Sequence, residues 1–551
     1  MKKIKFLAPV LALAMFSCDN YLDINDSPND LLFSQATPSK LLPGAQVSTY
    51  RVQATTMNEL GNVFMNSWTR NVNSYGNGYD KELQLIIDNS FANPIFEGIG
   101  RNIINFQAII DYPNPTGQYD NYIAAAKICK AHYVQYAVDL YGDVPYTEAW
   151  KGSENITPAY DDDYAIYQDL ITNLEDARAL IAAANPNAED IAPVDTMLGG
   201  DMAKWNEFAN TIQLRMCLRM SETTGAVAAY RDSKLADIVA GPFITESVTI
   251  NPGFSGASDA QASPAFNFFA HQVDGTARGN RLFIAMTGHA YKAMTSYANT
   301  NYTGTATAGS QELVPGSGVF YPNLTDARRA RLFTAGTGSA GGAVRAVNQG
   351  SSQVDVSTPT AVMPGVPARL GLLGNFDLYG EHPGATFDDY SGASGYIMLY
   401  SEACFLLAEA AARADNGEAG YAGFTGAQGW FDAGVTDSFI SRNAAIGGYL
   451  AAINAKPNFG YAASTTFNEQ LHAIMYQKWI ALMGVHGMES FVDYNRTGYP
   501  LTPLASVATQ SRKPYRLFYP VSEYIANAAN VPSLSTSDLF TINAKSPFWL
   551  Q

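Results

Sequence analysis

The sequence predicts a mainly α fold: a scaffold of tetratricopeptide-like helix pairs that carries a loop-rich, irregular half. Three observations lead there. Apolar residues recur with the period of a helix towards both ends of the chain. Two of these stretches are alanine-rich and apolar almost all round, as in helices buried between other helices. Between about 241 and 395 the helical period fades, while Gly, Ser, Thr, Asn and Pro become frequent.

The first element is an export signal. Lys2, Lys3 and Lys5 precede an apolar run from Phe6 to Phe16, broken by Pro9, and then come Ser17 and Cys18. A basic start, a short apolar core and a small residue before the cut describe a secretory signal. The apolar run of about 11 residues is too short for a spanning helix, which needs ~20. A cysteine just after the cut is the mark of a bacterial lipoprotein, whose thiol is acylated. Residues 1–17 are therefore expected to be removed, Cys18 to carry lipid, and 18–30 to form a polar tether. Residues 31–551 are expected to form one domain, with the scaffold at 31–240 and 396–500 and the ligand-facing loops at 241–395.

Within the scaffold, 121–141 and 396–413 are the all-round apolar stretches, with Ala124–Ala126, Ala408 and Ala410–Ala412 permitting close helix approach. Ile166, Leu170, Leu174, Ala177 and Ile181 fall on one helical face. Trp205, Phe208, Ala209, Ile212 and Met216 do the same, as do Leu471, Ile474, Met475, Trp479 and Leu482. Stacked pairs of such helices suit a helical-repeat scaffold, although the full repeat consensus is absent. Cys129, Cys217 and Cys404 lie inside apolar segments without a C-x-x-C pair, so they are read as buried free thiols.

Charge narrows the partners. The formal net charge is −16, and cleavage before Cys18 removes three lysines and no acid, giving −19. Nucleic acid and anionic lipid need clustered Lys and Arg, so neither is an expected partner; membrane contact is through the lipid anchor alone. Motifs for chemistry are sparse. Gly336-x-Gly338-x-x-Gly341 matches a dinucleotide fingerprint but lacks a preceding strand and a following helix. The six histidines have no metal-ligand spacing. Asp161, Asp162 and Asp163 offer the carboxylate oxygens that Ca²⁺ takes, yet a run like this ahead of a helix more commonly caps it. The expectation is no cofactor, no metal and no catalytic residue. A glycosidase needs two carboxylates flanking one bond, and no acid here sits in a motif that marks that role.

The aromatic residues point to a ligand. Segment 64–79 interleaves Trp68, Tyr75 and Tyr79 with Asn66, Arg70, Asn71, Asn73 and Asn77. Aromatic faces offer sugars a flat apolar platform, while amides and guanidinium give directional hydrogen bonds to hydroxyls. The candidate ligand contacts are Trp68, Asn71, Tyr75 and Tyr79, with Tyr291 and Tyr297 as a facing wall. For Trp68 the core is an equal alternative, because tryptophan is usually largely buried.

The C-terminal third carries Gln477-Lys478-Trp479, Gly487, Glu489 and Arg496-Thr497-Gly498-Tyr499-Pro500 in one helical context. This pattern resembles the SusD/RagB family of glycan-binding outer-membrane lipoproteins. The resemblance extends to Cys18 through Asn25, Asp139 through Tyr146, Ser401-Glu402 with Ala408-Glu409-Ala410, and Arg516 through Pro520 with Glu523. It is weakest over about 250–390. The resemblance implies a SusD-like fold of four helix pairs under an irregular half, held at the cell surface on the outer membrane. It implies a lid that captures oligosaccharide without cleaving it and delivers it to a SusC-like, TonB-dependent receptor. The family's ligand arc corresponds approximately to 68–79, with no ligand motif matched residue by residue. Arg496 is expected to pair with Glu489 or Asp493 and hold a helix end. Two other functions stay open at this point: a glycoside hydrolase on the same scaffold, and a surface lipoprotein that binds peptide or protein.

Overall fold

Helices dominate wherever the apolar period is strong. The structure, a computed structural model, describes residues 36–72, 78–296, 311–312, 320–333, 346–351 and 390–551. The signal, Cys18, the tether, Tyr75, Tyr297 and the Gly336–Gly341 motif lie outside these described residues.

The N-terminal scaffold comprises α1 (Pro38–Val52), α2 (Asn58–Phe64), α3 (Asn93–Ile110), α4 (Asp120–Tyr141), α5 (Asp163–Ala183), α6 (Met202–Arg219) and α7 (Gly225–Ala236). The C-terminal part adds α8 (Tyr400–Asp415), α9 (Ala427–Ile440), α10 (Phe467–Leu482) and α11 (Gly487–Thr497). Neighbours in sequence pack as pairs: α3 on α4, α4 on α5, α8 on α9, and α10 on α11. Several ends are set by local chemistry. Asp162 caps α5 by accepting from Ala165 N, the capping role expected of that acidic run. Thr466 and Glu469 form a reciprocal capping box at the start of α10. Gly142, at φ +70°, takes the chain out of α4 in a conformation that a side chain would strain.

The interior matches the apolar reading closely. Trp205, Phe208, Ala209, Ile212 and Met216 are all fully buried, as are Ala124–Ala126 and the three cysteines 129, 217 and 404, which are free. One boundary differs. The stretch expected to be helical from 396 begins as strand, because Tyr396–Met398 pair with Val248 and Thr249, and the helix starts at Tyr400. This antiparallel pair, β4 (Val248–Ile250) with β8 (Gly395–Met398), joins the points where the loop-rich middle leaves the scaffold and returns. The other strands are equally short: β1 (Trp68–Arg70) pairs with β5 (Ile284–Met286), β2 (Val144–Pro145) with β3 (Tyr160–Asp161), and β6 (Gln311–Glu312) with β7 (Phe320–Tyr321).

Charge is also buried, in a network that links distant helices. Arg219 on α6 reaches Asp139 on α4 at 3.1 Å, and Glu489 and Asp493 on α11 at 2.5 and 2.8 Å. Lys478 on α10 contacts the same two acids at 3.1 and 2.7 Å. Each ion is paired and hydrogen-bonded, as burial of charge requires. No helix among the described residues is long and apolar enough to cross a membrane.

Candidate ligand-binding site

The chain that leaves α2 is fixed by polar atoms before it reaches the surface. Asn66 adopts φ +54° and donates through Nδ2 to Pro503 O, while its own carbonyl accepts from Thr287 Oγ1. Ser67 accepts from the indole of Trp479 at 3.0 Å. Gln349 donates to the carbonyls of Val63 and Trp68, both at 2.8 Å. These bonds hold β1 against β5, with Trp68 opposite Met286.

This placement corrects two candidate contacts. Trp68 is only 1% exposed, so its ring belongs to the core and offers no face to a sugar. Asn71 is fully buried; its amide donates to Leu282 O and its backbone N–H to Phe283 O. Its polar atoms secure the loop. Tyr79 is half-buried at φ +54°, its hydroxyl on Glu59 Oε1 at 2.7 Å and its ring 4.8 Å from Phe283. Tyr291 is half-buried in the short helix Gly288–Ala293.

What the segment does is support an aromatic relay that ends at solvent. Trp68 meets Phe269 edge-on at 5.2 Å, and Phe269 meets Phe268 at 4.8 Å and 88°. Edge-to-face geometry of this kind is the favoured aromatic contact. Phe268 is half-exposed and lines an open cleft of about 510 Å³ together with Arg51, Thr55, Asn267, Arg278 and Asn280. Arg51 closes α1, and Thr55 lies in the π-helical turn Gln53–Met57, a local irregularity that recurs at functional sites. Arg278 is oriented by Asp259 at 2.8 Å and by Asn267 Oδ1, and its buried Nε has no partner among the described residues. Asn280 donates to Phe268 O at 3.2 Å. The cleft thus combines one aromatic face, two amides, two guanidinium groups and a hydroxyl, and its lining among the described residues contains no carboxylate. That donor-rich set matches a ligand made of hydroxyl and carbonyl oxygens.

A family model for starch-binding proteins that associate with the outer membrane, the SusD-like model, matches residues 28–252 and 322–520. The chain belongs to the SusD-like family. Its fold is shared with solved SusD homologues. A chitin-binding SusD homologue from Flavobacterium johnsoniae is 20% identical, with 89% of this chain and 92% of that one covered and a TM-score of 0.61. A SusD homologue from Parabacteroides distasonis is 20% identical over 90% and 93%, at 0.64. One from Bacteroides uniformis is 19% identical over 93% and 98%, at 0.62. No curated protein matches.

Several of the residues that carry the SusD-like resemblance are interior. Gln477 accepts from Arg328 at 3.0 Å, Lys478 and Glu489 sit in the ionic network, and Tyr519 donates to Asp143 O at 2.7 Å. Arg496 does pair with Asp493, at 3.1 Å, but its main partner is Glu409 on α8. The cleft wall from Pro264 to Asn280 falls in the gap of the family match, 253–321. The candidate residues at 68–79 missed this wall. The signal was available: Asn267-Phe268-Phe269 followed by Arg278 and Asn280 interleaves the same residue types.

Proposed function

We propose that this chain captures oligosaccharide at the bacterial surface and delivers it to a SusC-like, TonB-dependent outer-membrane receptor. It is tethered through an acylated Cys18 and acts as a lid that binds without catalysis, cofactor or metal. The observation that carries this reading is the cleft at Phe268, in a chain whose family is described as starch-binding and outer-membrane-associated. A structural neighbour that binds chitin supports the ligand class. The cleft wall lies where the family model does not match, which suits a region that sets ligand choice.

The test is calorimetric titration with starch- and chitin-derived oligosaccharides, with product analysis of each mixture. Binding without product is expected. Phe268→Ala should remove about 1–2 kcal/mol of apolar contact, or roughly tenfold in affinity. Release of shortened glycan would overturn the binding-only reading, and unchanged affinity in Phe268→Ala would remove the cleft as the site.

A further inference from the structure

A second cleft, of about 430 Å³, opens in the helical scaffold and shares no residue with the first. It lies where α3, α4 and α5 meet the connection between β2 and β3. Its volume is in the range of small-ligand sites, about 300–1,000 Å³.

The cleft is built around a buried ammonium. Lys130 on α4 is 6% exposed, and its Nζ lies 4.1 Å from the ring centre of Tyr146 and 5.3 Å from that of Trp150. It donates one hydrogen bond, to Gln107 Oε1 at 2.8 Å, out of the three an ammonium can give. Burial pushes Lys130 down to about 8, against the opposing pull of Asp169 and Asp111. The two rings stand at 86° and 5.7 Å, forming a corner. Each is held in place: the Tyr146 hydroxyl donates to Asp169 at 2.5 Å, and the Trp150 indole to Gly100 O at 2.7 Å. Trp150 takes φ +60°, a conformation unfavourable for a bulky residue that persists only where its surroundings enforce it.

Charge selects the ligand. Three carboxylates, on Asp111, Asp161 and Asp169, line the cleft beside two lysines, Lys130 and Lys151, so an anion gains no net attraction. A cationic ligand is excluded from the aromatic face, because Lys130 already occupies the place a cation would take over Tyr146. What remains favourable is a neutral molecule with an apolar face for the aromatic corner and hydroxyls for Lys130 and the carboxylates. We propose that this cleft is a second saccharide site, for one or two neutral sugar rings, on the helical scaffold.

The probes are maltose, cellobiose and diacetylchitobiose, with a uronic-acid disaccharide and the deacetylated, cationic chitobiose as charged controls. Titrations use the full mature chain, and thermal unfolding is recorded for every variant. At least one neutral disaccharide is expected to bind, with affinity reduced tenfold or more in both Trp150→Ala and Lys130→Met. Lys130→Met keeps the bulk of the buried stem, so it tests recognition even where Trp150→Ala unfolds. Retention of this binding in Phe268→Ala assigns it to the scaffold cleft. Loss in Phe268→Ala with retention in Lys130→Met overturns the second site and leaves the first standing. No neutral disaccharide bound, or tighter binding of either charged control, also overturns it.

Discussion

Arg496 grips Glu409 with both arms of its guanidinium, Nη1 to Oε1 at 2.5 Å and Nη2 to Oε2 at 2.7 Å, with both side chains fully buried. The pair joins α11 to α8. Arg413 approaches the same carboxylate at 3.0 Å, and Arg496 also donates to Ser221 at 2.9 Å. Removing one partner leaves the other buried and uncompensated. Arg496→Ala should therefore cost about 3–5 kcal/mol of stability. The urea midpoint will fall, while glycan affinity of the molecules that remain folded stays unchanged, because Arg496 lines neither cleft.

Glu409 makes part of the stability pH-dependent. Burial alone would raise its carboxyl, but the charges of Arg496 and Arg413 outweigh burial and hold it at about 2, against an ordinary 4.5. A carboxylate with a depressed folded pKa stabilises fully above its unfolded pKa and loses that contribution as pH falls towards the folded one. The window is thus about pH 4.5 down to 2, and its size is on the order of 3 kcal/mol. Other acids titrate there too, so the useful measurement is a comparison. Glu409→Gln should be less stable than the native protein at pH 7, and the difference should shrink as both are brought to pH 2.

Asp163 has the opposite sign. Burial, with the neighbouring charges of Asp143 and Asp162, raises its carboxyl from 3.8 to about 7. The folded state then holds a proton that the unfolded state has released, so stability falls as pH rises from about 4 to 7. Asp163→Asn keeps an oxygen for the backbone N–H of Phe548, which Asp163 Oδ2 accepts at 2.8 Å. This variant should melt higher than the native protein at pH 8, by roughly 4 kcal/mol at most, and converge with it near pH 4. A lower melting temperature at pH 8 would show that the charge is needed there.

The helical scaffold was readable because a helix that buries one face repeats apolar residues at fixed spacing, as Trp205 to Met216 and Leu471 to Leu482 do. The buried ions were not, because their partners are remote: Arg219 and Glu489 are 270 positions apart, and a charged residue inside a helical pattern reads as surface. Trp68 shows the same limit from the other side. Aromatic and amide residues in a row are compatible with a sugar platform or with a loop pinned by its own amides. Only the three-dimensional contacts of Asn66, Asn71 and Trp68 decide for the latter. The cleft at Phe268 needs residues from α1, the π-helical turn and 264–280, a convergence that no local window contains.

Two glycines separate packing from propensity in a single experiment. α2 crosses α11 where Gly61 faces Gly487, and a Cβ added at Gly61 would lie 2.0 Å from Met488 N and 2.1 Å from Gly487 C. Both obstacles are backbone, so they cannot rotate aside. The contact is locked further by Asn58 and Asn62, whose side chains bond Gly484 O and Gly484 N at 2.8 and 3.0 Å. Gly61→Ala should cost about 3 kcal/mol, the upper end of overpacking. Gly100, in the interior of α3, has nothing within 4 Å of an added Cβ. There the change to Ala removes only unfolded-chain freedom and should stabilise by about 0.5–1 kcal/mol. Chemical denaturation of both variants reads out the contrast. Equal effects would mean that α2 and α11 can separate without loss, and that the Gly487 position is not a close-approach site.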